Sequence, residues 1–151
     1  MEYTKDSFIN EQLWKAVPGF PCYEAHPTGL IRNAITGRGI SSRMIKGGNG
    51  TIDYPYCNIR DEAGNTKTVA VHRLIAMTFI NIPAIDEWNW QVDHINHVPT
   101  DNDVRNLRWL PAKLNQTLRT NVRPDTARRK ILEYYRAHDI DYDYFNLLSE
   151  L

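Results

Sequence analysis

The sequence predicts a small α+β protein, and three observations carry the prediction. Residues 92–120 run from a short apolar stretch through a polar loop to a second apolar stretch and then a helix-forming segment. Residues 11–33 and 54–71 set aromatic and β-branched residues between glycine-containing turns, the pattern of short strands. After Arg123-Pro124, apolar residues recur at helical spacing. With 151 residues the chain can bury one modest core or two very small ones, so one composite unit with an extension is expected.

Taken in order, residues 11–33 read as strand-turn-strand, with Pro18-Gly19 and Thr28-Gly29 as turns and Trp14 and Tyr23 as a small core. The segment from Gly37 to Gly50 holds five glycines among serine and basic residues. It cannot bury much apolar surface and is expected to be a loop that is mobile without DNA. Tyr54–Arg60 and Lys67–Val71 read as strands joined by a turn at Ala63-Gly64-Asn65, and Leu74, Ile75, Met77 and Phe79 as a helix. Trp88 and Trp90 fall in a connection over 81–91, where packing or capping is their expected role. Val92–Ile95 and Asn106–Leu110 are the next strands. A helix follows over Pro111–Thr120, with Pro111 in its first turn, where a missing N–H costs nothing. Asp125 is the expected cap of a helix whose apolar face is Ala127, Ile131, Leu132, Tyr134 and Tyr135, and Ile140, Tyr144, Leu147, Leu148 and Leu151 suggest another.

The unit at 92–120 is also where chemistry concentrates. A helix packed across two strands lets Asp93, His94 and Asn115 converge. Phosphodiester hydrolysis needs a group that deprotonates water, a cation that stabilises charge on the leaving oxygen, and something that holds both in line. A neutral imidazole, with a pKa near ~6.5, is half-ready as a base at physiological pH. A carboxylate and an amide oxygen are hard ligands, which favour Mg²⁺ or Mn²⁺ over zinc. Alone, each residue would be ordinary: an Asp-His pair in a turn, an Asn at a strand entry, an Asn on a solvated helix face. Their joint spacing, with Asn106 twelve and Asn115 twenty-one residues after His94, sets them apart.

Here the chain resembles the HNH endonucleases, in the branch of phage intron-encoded and free-standing homing enzymes. The resemblance is carried in order by "VHRLIAMTFI" (71–80), "VDHIN" (92–96), "TDND" (100–103), "NLRWLP" (106–111) and "LNQ" (114–116). It implies a ββα-metal finger with His94 as general base, Asp93 as metal ligand, Asn106 pinning the loop between the strands, and Asn115 completing the metal site. It also implies that the finger enters the minor groove of double-stranded DNA. His97 departs from the pattern, standing where the family commonly has glycine. If the loop requires positive φ there, histidine carries some strain, and a plain loop role is expected. His72 reads as a helix-start residue that packs or touches DNA. Residues 11–33, through Trp14, Val17, Gly19, Tyr23, Gly29, Ile31 and Arg32, resemble a tryptophan-led module found N-terminal in many such nucleases.

The formal charge is +0, which hides two basic patches. Eight basic residues and one acid lie between Arg105 and Lys130, and no acid lies between Glu24 and Asp53. Local fields of this kind govern DNA affinity more than net charge does. The expected DNA contacts are Arg32, Arg38, Arg43, Lys46, His72, Arg73, Arg108, Lys113, Arg119 and Arg123. Cys22 and Cys57 have no CxxC partner, so neither a zinc-stabilised finger nor a disulfide framework is indicated, and a lone bridge between them stays open. The N-terminus lacks a signal-peptide pattern and no apolar run is long enough to span a membrane, so a cytoplasmic protein is expected.

The expected organisation is an N-terminal β-rich, DNA-contacting module over 1–70, an HNH ββα-metal domain over 71–121 and a helical tail over 122–151. Asp139, Asp141, Asp143 and Glu150 argue against a recognition helix at 138–151, because phosphate would repel them. Packing or homodimer formation is the expected role there. One such site cuts one strand, so a monomer nicks and a double-strand break needs a dimer or sequential nicking. The rival expectation is a catalytically idle HNH-fold module that binds DNA or protein.

Overall fold

Two turns with positive φ build the first sheet. The computed structural model describes residues 13–48, 52–82, 89–118 and 123–138, and in it Gly19 and Gly29 have φ of +78° and +101°. Glycine enters that region without a Cβ clash. The chain therefore folds back twice, making an antiparallel meander of β1 (Lys15–Val17), β2 (Phe20–Ala25) and β3 (Ile31–Asn33).

The glycine-rich segment that follows is not a simple loop. Arg32 forms a bridge with Gly39, and Arg43–Ile45 is a strand, β4, paired with β5 (Tyr54–Arg60). Backbone pairing to a neighbouring edge needs no apolar side chain, which is why composition concealed it. A hairpin with Gly64 at φ +82° joins β5 to β6 (Thr66–Ala70), and Asp61 Oδ1 accepts from the backbone N–H groups of Ala63 and Asn65. α1 (Val71–Phe79) follows directly, with Leu74, Ile75 and Ala76 fully buried.

The last unit is a hairpin of β7 (Trp90–His94) and β8 (Leu107–Pro111), then α2 (Ala112–Leu118) and α3 (Pro124–Ala137). The strand begins at Trp90, whose ring packs against both apolar clusters, so the expected packing role holds for Trp90, while Trp88 lies outside the described residues. Pro111 pairs with Trp90 and belongs to the strand rather than to the helix. An edge of a two-stranded sheet tolerates a residue without an N–H. Asn106 ends a 3₁₀ turn (Val104–Asn106) capped by Asp103, instead of starting β8. Asp125 lies in the first turn of α3, where its charge favours the helix dipole, but the cap position is Arg123 and has no side-chain cap.

One apolar cluster unites Val17 and Ile31 of the first sheet, Cys57 and Ile59 of the second, Leu74 and Ile75 of α1, and Val92, Leu107 and Trp109 of the last hairpin. It runs across residue 70. Trp109 is fully buried, and its Nε1 donates to Ile80 O at 3.0 Å, fastening the end of α1 to β8. A second cluster joins Leu110, Leu114 and Leu118 to Ala127, Ile131 and Tyr135 of α3. Cys22 and Cys57 are free thiols, the second buried. Among the described residues no helix is long and apolar enough to cross a membrane. The second tail helix, and with it the expected homodimer contact, falls outside the described residues except for His138.

Candidate active site

The period of two along a strand decides where the site's side chains go. Val92 and His94 of β7 point into the core, whereas Gln91 and Asp93 point to the other face, which α2 covers. Asp93 is paired in register with Arg108 and His94 with Leu107. Asn115, on the buried face of α2, donates from Nδ2 to Gln91 Oε1 at 2.9 Å. Asn115 thus lies on the Asp93 side of the hairpin. Asp93, His94 and Asn115 line one cavity, with Tyr54, His97 and Pro99 among its other walls.

His94 is buried, and its Nε2 lies 2.9 Å from Asn102 Oδ1. An amide oxygen can only accept, so Nε2 carries the proton and Nδ1 keeps a lone pair. That is the arrangement a general base needs. Asn102 comes from the loop between β7 and β8, and Asn106 sets the shape of that loop. Asn106 Nδ2 donates to Asn96 Oδ1 and to Asp101 O, both at 2.8 Å, while its Oδ1 accepts from Asn96 N at 3.0 Å. All three bonds go to the loop and Asn106 does not line the cavity, so it shapes the loop rather than facing the cavity.

The first sheet supports the same loop. Pro27 O accepts from Val104 N at 2.7 Å, and a Cβ built on Gly29 would lie 2.9 Å from Asn102 O. Only glycine allows that approach.

Asp93 Oδ2 accepts from Arg108 Nε at 2.8 Å, with both side chains largely buried. A carboxylate has acceptor sites on two oxygens, so this pairing leaves Oδ1 able to ligate. Asn115 spends its N–H on Gln91, which leaves its carbonyl oxygen as the donor to the cavity. Asp93 and Asn115 therefore offer two hard oxygens beside His94, a set that fits Mg²⁺ or Mn²⁺. Among the described residues no group of three or more His, Cys, Asp or Glu gathers as a metal site. That result is compatible with a carboxylate–amide pair, since the amide is not in that set.

The HNH endonuclease family model matches residues 69–117. That span holds α1, the hairpin, the loop and Asn115. Over residues 69–117 the chain is thus similar to the HNH endonuclease family. The uncharacterized HNH endonuclease L245 of Acanthamoeba polyphaga mimivirus is 34% identical over 139 residues, covering 91% of this chain and 38% of that protein. A solved structure titled for DNA binding and cleavage by the HNH homing endonuclease I-HmuI matches with a TM-score of 0.57 and 26% identity, over 77% of this chain and 64% of that one. The chain spans less than two thirds of the length of either relative.

Around this HNH-like unit the basic residues divide into held and exposed. Arg32 is ion-paired with Glu24 at 2.7 Å and stacked on Trp14 at 4.2 Å, and Arg108 is committed to Asp93. Arg38, Arg43, Lys46, Arg73, Lys113 and Arg123 are exposed, with Arg73 lying over the Trp109 ring. Arg119 falls outside the described residues. His72, at the start of α1, is half-buried and packs through its ring, which lies 5.0 Å from that of His94 and 4.8 Å from that of Tyr54. Tyr54 in turn stacks on His94 at 5.7 Å.

Asn102, Gln91, Tyr54 and Gly29 were not singled out from the sequence as site residues. Gln91 was findable, since it lies two residues before Asp93 and so shares its strand face. Asn102 sits inside the "TDND" block, but nothing local marks which of its residues meets His94.

Proposed function

We propose that the chain is a divalent-metal-dependent endonuclease of the phage homing type that hydrolyses phosphodiester bonds in double-stranded DNA. One observation carries this reading: His94 is fixed by Asn102 as a base with Nδ1 available, in a cavity that Asp93 and Asn115 also line. His94 Nδ1 takes a proton from water, the resulting hydroxide forms a bond to phosphorus, and the P–O bond to the leaving oxygen breaks. Asp93 and Asn115 would hold the ion. A bound Mg²⁺ or Mn²⁺ supplies charge stabilisation for the leaving oxygen. Asn102 keeps the imidazole in the productive tautomer, and Gln91 keeps the Asn115 oxygen turned toward the cavity.

The exposed cations Arg38, Arg43, Lys46, Arg73, Lys113 and Arg123 are the proposed phosphate-backbone contacts, a set from which the ion-paired Arg32 and Arg108 are removed. The 1–70, 71–121 and 122–151 organisation is retained as a division of roles, with the cytoplasm as the proposed site of action. A single active site per chain nicks one strand.

Supercoiled plasmid incubated with Mg²⁺, Mn²⁺ or EDTA tests the proposal. Wild type nicks with metal and not with EDTA. His94→Ala slows nicking by at least the ~10²-fold expected for a lost base and keeps DNA binding. Asn115→Ala is nearly inactive with every ion, whereas Asn115→His retains some cleavage and shifts preference toward softer ions such as Mn²⁺ or Co²⁺. Undiminished nicking by His94→Ala rejects the base assignment, and wild-type rates for Asn115→Ala reject the ligand assignment.

A further inference from the structure

We propose that His97 is a second substrate-contacting histidine of this site, its imidazole N–H donating to a non-bridging oxygen of the phosphate that is cut. The inference rests on the phosphodiesterase reading above. Its starting point is backbone geometry: His97 has φ +60°, and every other described residue with positive φ is a glycine, at 19, 29, 37 and 64. A side chain there costs roughly 1–2 kcal/mol against the right-handed region. The turn imposes the conformation whatever the side chain. His97 N donates to His94 O at 3.0 Å, Val98 N to Asn96 Oδ1 at 2.9 Å, and Asn96 Nδ2 to Asp101 Oδ2 at 2.7 Å.

Nothing in the fold repays the histidine. The residue is exposed, and among the described residues its ring makes no hydrogen bond or ion pair. What the residue does is line the cavity shared by Asp93, His94 and Asn115. An outlier held in place by its surroundings and set at a reactive site points to function, not packing. The chemistry narrows the function further. Asp93 and Asn115 already present hard oxygens on the α2 side, and an imidazole N–H is a donor that complements an anionic phosphate oxygen.

The test compares wild type, His97→Gly and His97→Asn in three measurements: thermal midpoint, single-turnover nicking across Mg²⁺, Mn²⁺ and Co²⁺, and duplex affinity in EDTA. Glycine relieves the φ strain, and asparagine tolerates positive φ while restoring an N–H donor. The expected result for His97→Gly is an unchanged or raised midpoint, nicking slowed about tenfold to a hundredfold with unchanged metal preference, and weaker duplex binding. His97→Asn falls between the two. Wild-type nicking and binding by His97→Gly overturns the contact and leaves the nuclease reading standing. A changed metal preference in His97→Gly also overturns it, by making His97 a metal ligand. An inert wild type whose duplex binding is weakened by His97→Gly upholds the phosphate contact and sinks the nuclease reading. An inert wild type with binding unaffected by the substitution sinks both.

Discussion

A histidine serves as a base only when one ring nitrogen keeps its proton and the other its lone pair, and here a single amide oxygen makes that choice. Asn102 Oδ1 lies 2.9 Å from His94 Nε2. Asn102→Ala removes the acceptor, so the ring can rotate or exchange tautomers, and nicking is expected to fall about tenfold or more, a share of the ~10²-fold that a base supplies. Asn102→Asp keeps an acceptor at the same place and is expected to retain most of the activity. Rapid-quench nicking rates with both proteins check this. Equal losses in the two variants would show that the side chain only fills space. The same logic governs Asn115, whose carbonyl is presented because its N–H is taken by Gln91.

At the scale of elements, the turn between β2 and β3 braces the loop between β7 and β8 that carries Asn102, although the two are some seventy residues apart in sequence. Gly29→Ala brings a Cβ to 2.9 Å from Asn102 O at a φ of +101°. The expected cost is about 1–3 kcal/mol for the strained backbone, or a fall of several degrees in thermal midpoint at roughly 2–4 °C per kcal/mol. Nicking falls as well, because the displaced loop carries Asn102. Calorimetry beside a nicking assay checks both, and a midpoint equal to that of wild type would show that the turn does not brace the loop. This coupling was not legible in the sequence, since it depends on which turn meets which loop. The turns themselves were legible, because Gly19, Gly29 and Gly64 mark them with the one residue suited to positive φ. His94, Asp93 and Asn115 were legible through their spacing. β4 was not, since its pairing uses backbone groups and leaves Arg43 and Met44 exposed. Charge counting likewise identified Arg32 and Arg108 as basic but could not show that Glu24 and Asp93 hold them.

For the whole molecule, one core links the first sheet to the HNH-like unit, so acid that loosens one part reaches the other. His26 is buried, its Nδ1 accepts from Thr28 N at 3.2 Å, and that turn holds Gly29 against Asn102. Burial, and then the charge of Arg32, lowers the pKa of His26, with Asp103 opposing. Burial pushes His72 down to about 4 from 6.5, helped by His94 and Arg73. Its Nδ1 is buried without a hydrogen-bond partner among the described residues. Burial alone would raise Asp103, but its hydrogen bonds from Arg105 and the charges of Arg105 and His26 bring it below 3.8. All three folded-state values are depressed, so all three act with the same sign. Above pH 6.5 the histidines are neutral in both states and their contribution is complete. As pH falls from 6.5 toward about 4, the unfolded chain takes up a proton that folded His72 refuses, and stability declines. Each histidine contributes a slope of at most about 1.4 kcal/mol per pH unit. Asp103 adds its loss below 3.8, as pH falls through its folded value. Urea midpoints measured from pH 7.5 to 4.5 are therefore expected to fall with acid, and His72→Gln, which cannot titrate, should show a shallower decline over that range. A variant whose midpoints run parallel to those of wild type would mean that His72 takes its proton in the folded protein as readily as in the unfolded chain.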